Sequence, residues 1–153
     1  MSPTVIPDVQ THVHDLAACR QQYMAAFRCA TFLSSTTKAL TLISDQYAAV
    51  LTSDTRGTKI AKTLLPRKVP IVSVRSAVWM FITARPLPAD DLAAMISTLS
   101  SRSGTLLVLP GEEIALPTPG SDRRKWITPL GEFPPFGDVV DATIRVTTKE
   151  ASR

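Results

Sequence analysis

Histidine, cysteine and glycine are scarce in this 153-residue chain, at 2, 2 and 6 residues, and each shortage excludes a class of chemistry. The cysteines, Cys19 and Cys29, fall ten residues apart in one helical pattern, roughly 15 Å along a helix and too far for a disulfide. Both read as reduced, small apolar groups buried in a cytoplasmic protein. The histidines form one H-x-H pair, His12 and His14, which zinc would have to supplement with carboxylates or thiolates that no spacing provides. Two polar residues near a helix cap is the simpler reading, and neither a metal nor another cofactor is expected. The glycines make no phosphate-binding loop, because G-x-x-x-x-G-K-[ST] is absent and Gly57 stands alone before its helix. No stretch approaches the run of about 20 apolar residues that crosses a bilayer. The opening MSPTVIPDVQTHVHD lacks the basic start and apolar run of a signal peptide. A soluble chain with no membrane partner is therefore expected, and no internal repeat is visible.

What is present suits one folded body. At 153 residues the chain can bury about two-thirds of the surface its unfolded form exposes. A composition 44% hydrophobic and 20% charged is that of an ordinary globular domain. Half of the 12 prolines lie from Pro110 onward. That shift predicts a core over residues 1–110 and an extended or partly disordered arm over residues 111–153.

Within the core, Asp8 or Thr11 caps a first helix on which Leu16, Cys19, Tyr23, Phe27, Ala30 and Leu33 recur three and four apart, ending near Ser34 and Ser35. Residues 36–43 fit a short helix or a strand, and Tyr47 to Leu51 reads as a buried strand. Asp54 or Thr55 then caps a helix with Ile60, Ala61, Leu64 and Leu65 inward, which Pro66 ends. With the V-P-I-V-S-V run at 69–74, these make a β-α-β unit, expected to have a right-handed crossover and parallel strands. Val78 to Thr83 is a candidate hairpin partner of that run. It carries Trp79 and Phe81 on one face and Met80 and Ile82 on the other, so both faces should be covered. A helix from Ala89 to Ser101, with Leu92, Met95, Ile96 and Leu99 inward, precedes a strand at Thr105 to Leu109. Beyond Pro110 few apolar residues are periodic until Val140, Ala142, Ile144 and Val146 alternate with polar residues, as in a half-buried strand over 140–147. The expected fold is a small single-domain α/β protein: a mixed sheet with a β-α-β unit, packed by about three helices, and an irregular Pro-rich C-terminal third.

Asp90 and Asp91 invite a general-acid or magnesium reading. They open a helix, where the dipole stabilises acids by about 0.3–1 kcal/mol, and neither a partner histidine nor a third acid is near in sequence. We read them as helix-terminus acids and expect no catalytic residues and no enzyme. Charge is more informative. The net charge is +4, but residues 54–85 hold seven basic groups against Asp54, so that segment carries +6 and the remainder −2. Arg56, Lys59 and Lys62 fall three apart on one helix face, and Arg67 and Lys68 follow. A phosphate backbone would be attracted to such a patch with an affinity that falls as salt rises. An acidic protein surface would also fit, and so would an ordinary solvated helix face. Arg123, Arg124, Lys125 and Trp126, three cations followed by an aromatic, have the composition of a small single-strand RNA contact or a docking peptide. These nine residues are the candidate RNA- or partner-binding set. On them alone, the chain reads as a small nucleic-acid-binding module using a basic helix face.

Three segments in order carry a likeness to a known family: Val69-Pro70-Ile71-Val72-Ser73-Val74, the run Val78-Trp79-Met80, and Leu87-Pro88-Ala89-Asp90-Asp91 opening a helix. Over Gln46 to Gly104 the chain resembles the minor inner-core packaging factors of cystoviruses, the enveloped double-stranded RNA bacteriophages. That resemblance implies a small α/β protein of the polymerase-containing procapsid, homodimeric in isolation. Its implied partners are the viral RNA polymerase, the major inner shell protein and single-stranded RNA. It would assist assembly and RNA packaging and regulate RNA synthesis without catalysing it, in the virion inner core and, during assembly, the host cytoplasm. The resemblance carries over no binding residues.

Overall fold

The elements follow from where apolar side chains find partners. In a computed structural model, which describes the backbone of residues 9–152 and the side chains of 15–100 and 104–152, the chain forms four helices and eight strands. In order they are α1 (Val9–Phe27), β1 (Thr31–Leu33), β2 (Leu40–Ile43), β3 (Tyr47–Ser53), α2 (Asp54–Leu64), β4 (Ile71–Val74) and β5 (Val78–Ala84). Then come α3 (Leu92–Ser103), β6 (Leu106–Val108), β7 (Glu113–Ala115), β8 (Arg124–Thr128) and α4 (Phe136–Ala151). This is the expected small α/β fold, but with two antiparallel sheets in place of one mixed sheet, and four helices in place of about three.

The larger sheet has the order β6-β3-β5-β4-β8, and β1-β2-β7 form the smaller. β5 pairs antiparallel with both β3 and β4. The two strands joined through α2 therefore run parallel, but with β5 inserted between them. The insertion has a simple cause: Arg75, Ser76 and Ala77 turn the chain straight back from β4, and a strand apolar on both faces belongs in the middle of a sheet. Phe81 and Trp79 face Ile60, Leu99, Phe136 and Val139 on the side of α2, α3 and α4. Met80 and Ile82 face Tyr23, Phe27, Leu42 and Ile114 on the side of α1 and the small sheet. Three layers result, with the five-stranded sheet between two apolar clusters.

Several boundaries differ from those the sequence predicts. The stripe on α1 holds through Leu16, Cys19, Tyr23 and Phe27, but the helix stops there. Arg28 turns into the left-handed region at φ 54°, and Ala30 and Leu33 lie beyond the helix, with Leu33 half exposed in β1. Cys29 is thus outside the helix, and both thiols are free and half-buried. Residues 35–37 form a turn, and β2 follows as a strand from Leu40. Ser53, rather than Asp54 or Thr55, caps α2 by accepting from the Arg56 N–H at 3.2 Å. Asp8 and the side chains of His12 and His14 lie outside the described residues.

The largest difference is at the C-terminal end. Residues 140–147 are helical, not a strand, within α4. Alternation at Val140, Ala142, Ile144 and Val146 coexists with a helical set: Phe136, Val139, Val140, Ala142, Thr143, Val146 and Thr147 are all buried at spacings of three and four, and of the alternating residues only Ile144 is not. The β-branched residues favour a strand only weakly when a helical face can pack against α2 and α3. The helix also satisfies its hydroxyls internally: Thr143 Oγ1 donates to the Val139 carbonyl at 2.8 Å and Thr147 Oγ1 to that of Ile144 at 3.0 Å. Nor is the segment after 110 an arm. β7 pairs with β2, β8 pairs with β4, and α4 supplies core residues, so this third of the chain completes all three layers.

Candidate nucleic-acid interface

The basic helix face predicted on α2 forms, and α4 answers most of it. Both Arg56 Nε and Nη2 donate to Glu150 Oε2, at 3.1 and 3.0 Å, and Lys59 Nζ lies 3.7 Å from Glu150 Oε1. Arg67 forms an ion pair with Asp138, also on α4. Lys62 remains exposed and borders a hollow of about 280 Å³ with Lys59, Lys149 and Glu150. Lys68 is exposed beside a larger hollow of about 820 Å³ walled by residues 127–135. The face is therefore a helix-helix junction more than a cationic surface. Its acids come from 71 and 94 residues further along the chain, which a local charge sum cannot register.

A second group of cations is arranged differently. β8 pairs with β4 so that Arg124 stands opposite Val74 and Lys125 opposite Ser73. The pairing continues past the strand ends, where the Arg75 N–H donates to the Arg123 carbonyl at 2.7 Å. Arg75, from the β4-β5 turn, thus joins Arg123 and Arg124 at one corner of the sheet. Burial lowers the Arg124 pKa, and the positive charges of Arg123 and Arg75 lower it further. Among the described residues none of Arg75, Arg123, Arg124 or Lys125 forms an ion pair. Arg75, Arg123 and Arg124 are thus like charges with no ion-pair partner among the described residues, at the end of an edge strand, while Lys125 takes the opposite face of the sheet from Arg124.

Next to this cluster Trp126 projects to the α1 side. Its Nε1–H donates to the Tyr23 hydroxyl at 3.2 Å, and that hydroxyl donates to the Pro117 carbonyl. The Tyr23 and Trp126 rings meet edge to face, with centroids 6.1 Å apart. Burial, then the hydrogen bond with Cys19, pushes the Tyr23 pKa well above its ordinary value and keeps the phenol neutral. Trp79, the other tryptophan, sits on the opposite face of the sheet against Gly57 and Phe81.

The acids that open α3 are engaged with backbone. Asp91 Oδ1 accepts from the Ala94 N–H at 3.1 Å as the N-cap, and Asp90 Oδ2 accepts from the Leu87 N–H at 2.7 Å. Among the described residues no three His, Cys, Asp or Glu side chains come together as a metal site.

Of the nine residues singled out in the sequence, the structure groups Arg123, Arg124, Lys125 and Trp126 at the sheet corner. It places Arg56, Lys59, Lys62, Arg67 and Lys68 on and after α2, on another element. Arg75 is the member that local reading leaves out of the set, since 48 residues separate it from Arg123 and only the β4-β8 register joins them. The signal available was the alternation of Arg124, Trp126 and Thr128 in a short run flanked by turn residues. No protein-family model, curated protein or solved structure matches the chain.

Proposed function

We propose that this chain is a non-enzymatic accessory protein of the inner core of a double-stranded RNA virus, and that it meets single-stranded RNA through Arg75, Arg123 and Arg124. It assists assembly and packaging beside the viral polymerase and the inner shell protein, and modulates RNA synthesis without catalysing it. The viral part of this reading rests on the resemblance over Gln46 to Gly104. The RNA part rests on one observation: three arginines cluster with no ion-pair partner among the described residues, although burial and then their mutual repulsion lower the Arg124 pKa. A polyanion supplies the charge this corner lacks. A module that binds through the α2 face has less support, because Glu150 and Asp138 already engage Arg56, Lys59 and Arg67.

The test compares two charge-reversed proteins, R75E/R123E/R124E and K59E/K62E, in binding to labelled single-stranded RNA across a range of salt. The first should bind weakly at all salts and lose about 0.7 from the log-log salt slope for each phosphate contact removed. The second should keep the wild-type slope. Unchanged binding by the first protein overturns the RNA reading. For the viral reading, the protein should be present in polymerase-containing core particles, and its absence from them overturns that assignment.

A further inference from the structure

A hollow of about 490 Å³ opens between α1 and β8, beside the arginine cluster. Its walls include Tyr23, Trp126, Pro117, Pro119 and Leu130, with Gln22 and Arg124 among the polar groups. We propose that this hollow receives one unstacked base of single-stranded RNA whose phosphates lie on Arg75, Arg123 and Arg124. The inference rests on the RNA reading and adds to it a defined seat for the base.

Three features carry it. The walls combine the Trp126 ring with the apolar faces of Pro117, Pro119, Pro129 and Leu130, and such surfaces suit the face of any base. The aromatic pair is fixed in advance, since the Trp126 N–H is given to Tyr23 and the Tyr23 O–H to Pro117. Both polar tips are thereby occupied, so the part-exposed Trp126 ring is the platform, backed by the buried Tyr23, and not a hydrogen-bond donor.

The third feature is continuity. Arg124 and Trp126 are alternate residues on one strand, so their side chains share a face and start about 6.8 Å apart. Arg124 lines the hollow and belongs to the arginine cluster as well. Base and phosphate sites therefore meet at one side chain, as a single nucleotide requires. Gln22 is exposed on α1 at the rim, with an amide that both donates and accepts. It can pair with the edge of more than one base, so contact with little sequence preference is expected. A site size of 490 Å³ also falls in the range of small-ligand clefts, about 300–1,000 Å³.

The full chain carrying Trp79→Phe, which leaves Trp126 as its one tryptophan, is titrated with a short oligouridine and with the same strand made of abasic sugars. Oligouridine should quench Trp126 emission and bind about tenfold tighter than the abasic strand, the size of effect expected from one stacked base. Trp126→Ala should abolish most of that difference, and the abasic comparison in the parent protein does not depend on that variant folding. Equal affinity for the two strands without quenching overturns the base seat. If R75E/R123E/R124E still weakens binding in that case, the RNA reading stands without it. If that triple variant binds normally, the RNA reading fails and the base seat with it. Equal quenching by polyglutamate identifies an acidic peptide as the occupant and also overturns the proposal.

Discussion

Arg75 and Ser76 hold their backbones in the left-handed region, at φ 53° and 57°, in the turn that joins β4 to β5. Hairpin turns of this hand favour glycine or asparagine, and other residues there cost roughly 1–2 kcal/mol each. Ser76→Gly should therefore raise stability by about 0.5–1 kcal/mol after glycine's own entropy cost, with RNA affinity unchanged, as urea unfolding and RNA titration would show. Arg75 cannot be relieved in this way without removing a cation from the cluster. Tyr23 sets a second expectation at this scale. Burial raises the pKa of Tyr23 from its ordinary 10.0, as it does those of Tyr47 and, from 9.0, Cys29. Above those ordinary values the unfolded chain releases protons that the folded chain keeps. Stability is thus full below about pH 9 and falls as pH rises through 10, by about 1.4 kcal/mol per pH unit for each proton retained. Tyr23→Phe should be less stable at neutral pH, since Trp126 and Pro117 lose a partner, yet its decline in alkali should be shallower. Unfolding midpoints measured on both proteins from about pH 8 to pH 11 would check this.

At the scale of elements, α2 and α4 are joined by Glu150, which takes up Arg56 and Lys59 together. Glu150→Gln should lower stability by about 1 kcal/mol, the upper end for partly exposed pairs. It should leave the salt slope of RNA binding unchanged, because the junction lies on a different element from the RNA-facing corner. A steeper slope in that variant would move the interface to α2. The sequence made some elements plain and hid others for identifiable reasons. β5 was legible because Trp79, Met80, Phe81 and Ile82 are apolar on both faces, and α2 because a cap and Pro66 bound it. α4 was not, since Val140 to Val146 satisfy two periods at once and only the packing partners decide between them. The candidate site was half legible. Arg123 to Trp126 stand together in the chain, whereas Arg75 reaches them through strand pairing and Glu150 cancels the α2 face through a helix contact, neither of which is local.

Over the whole molecule, the last third of the chain is structural. Phe136, Val139, Val140 and Val146 are buried on α4, and each such side chain contributes about 1.5–3 kcal/mol. Four of them rival the 5–15 kcal/mol that typically separates a folded domain from its unfolded state. A chain ending at Pro110 should show no cooperative unfolding transition by circular dichroism, where a dispensable arm would leave one intact. The edge strand β8 has one more consequence. Its outer backbone groups have no neighbour in the sheet, and such a row can pair with the edge of another chain. Arg124 and Lys125 stand on that edge, and like charges on two copies repel. A barrier made of charge lasts only while the charge is unanswered, so salt or a bound polyanion lowers it and brings copies of the chain closer to pairing edge to edge.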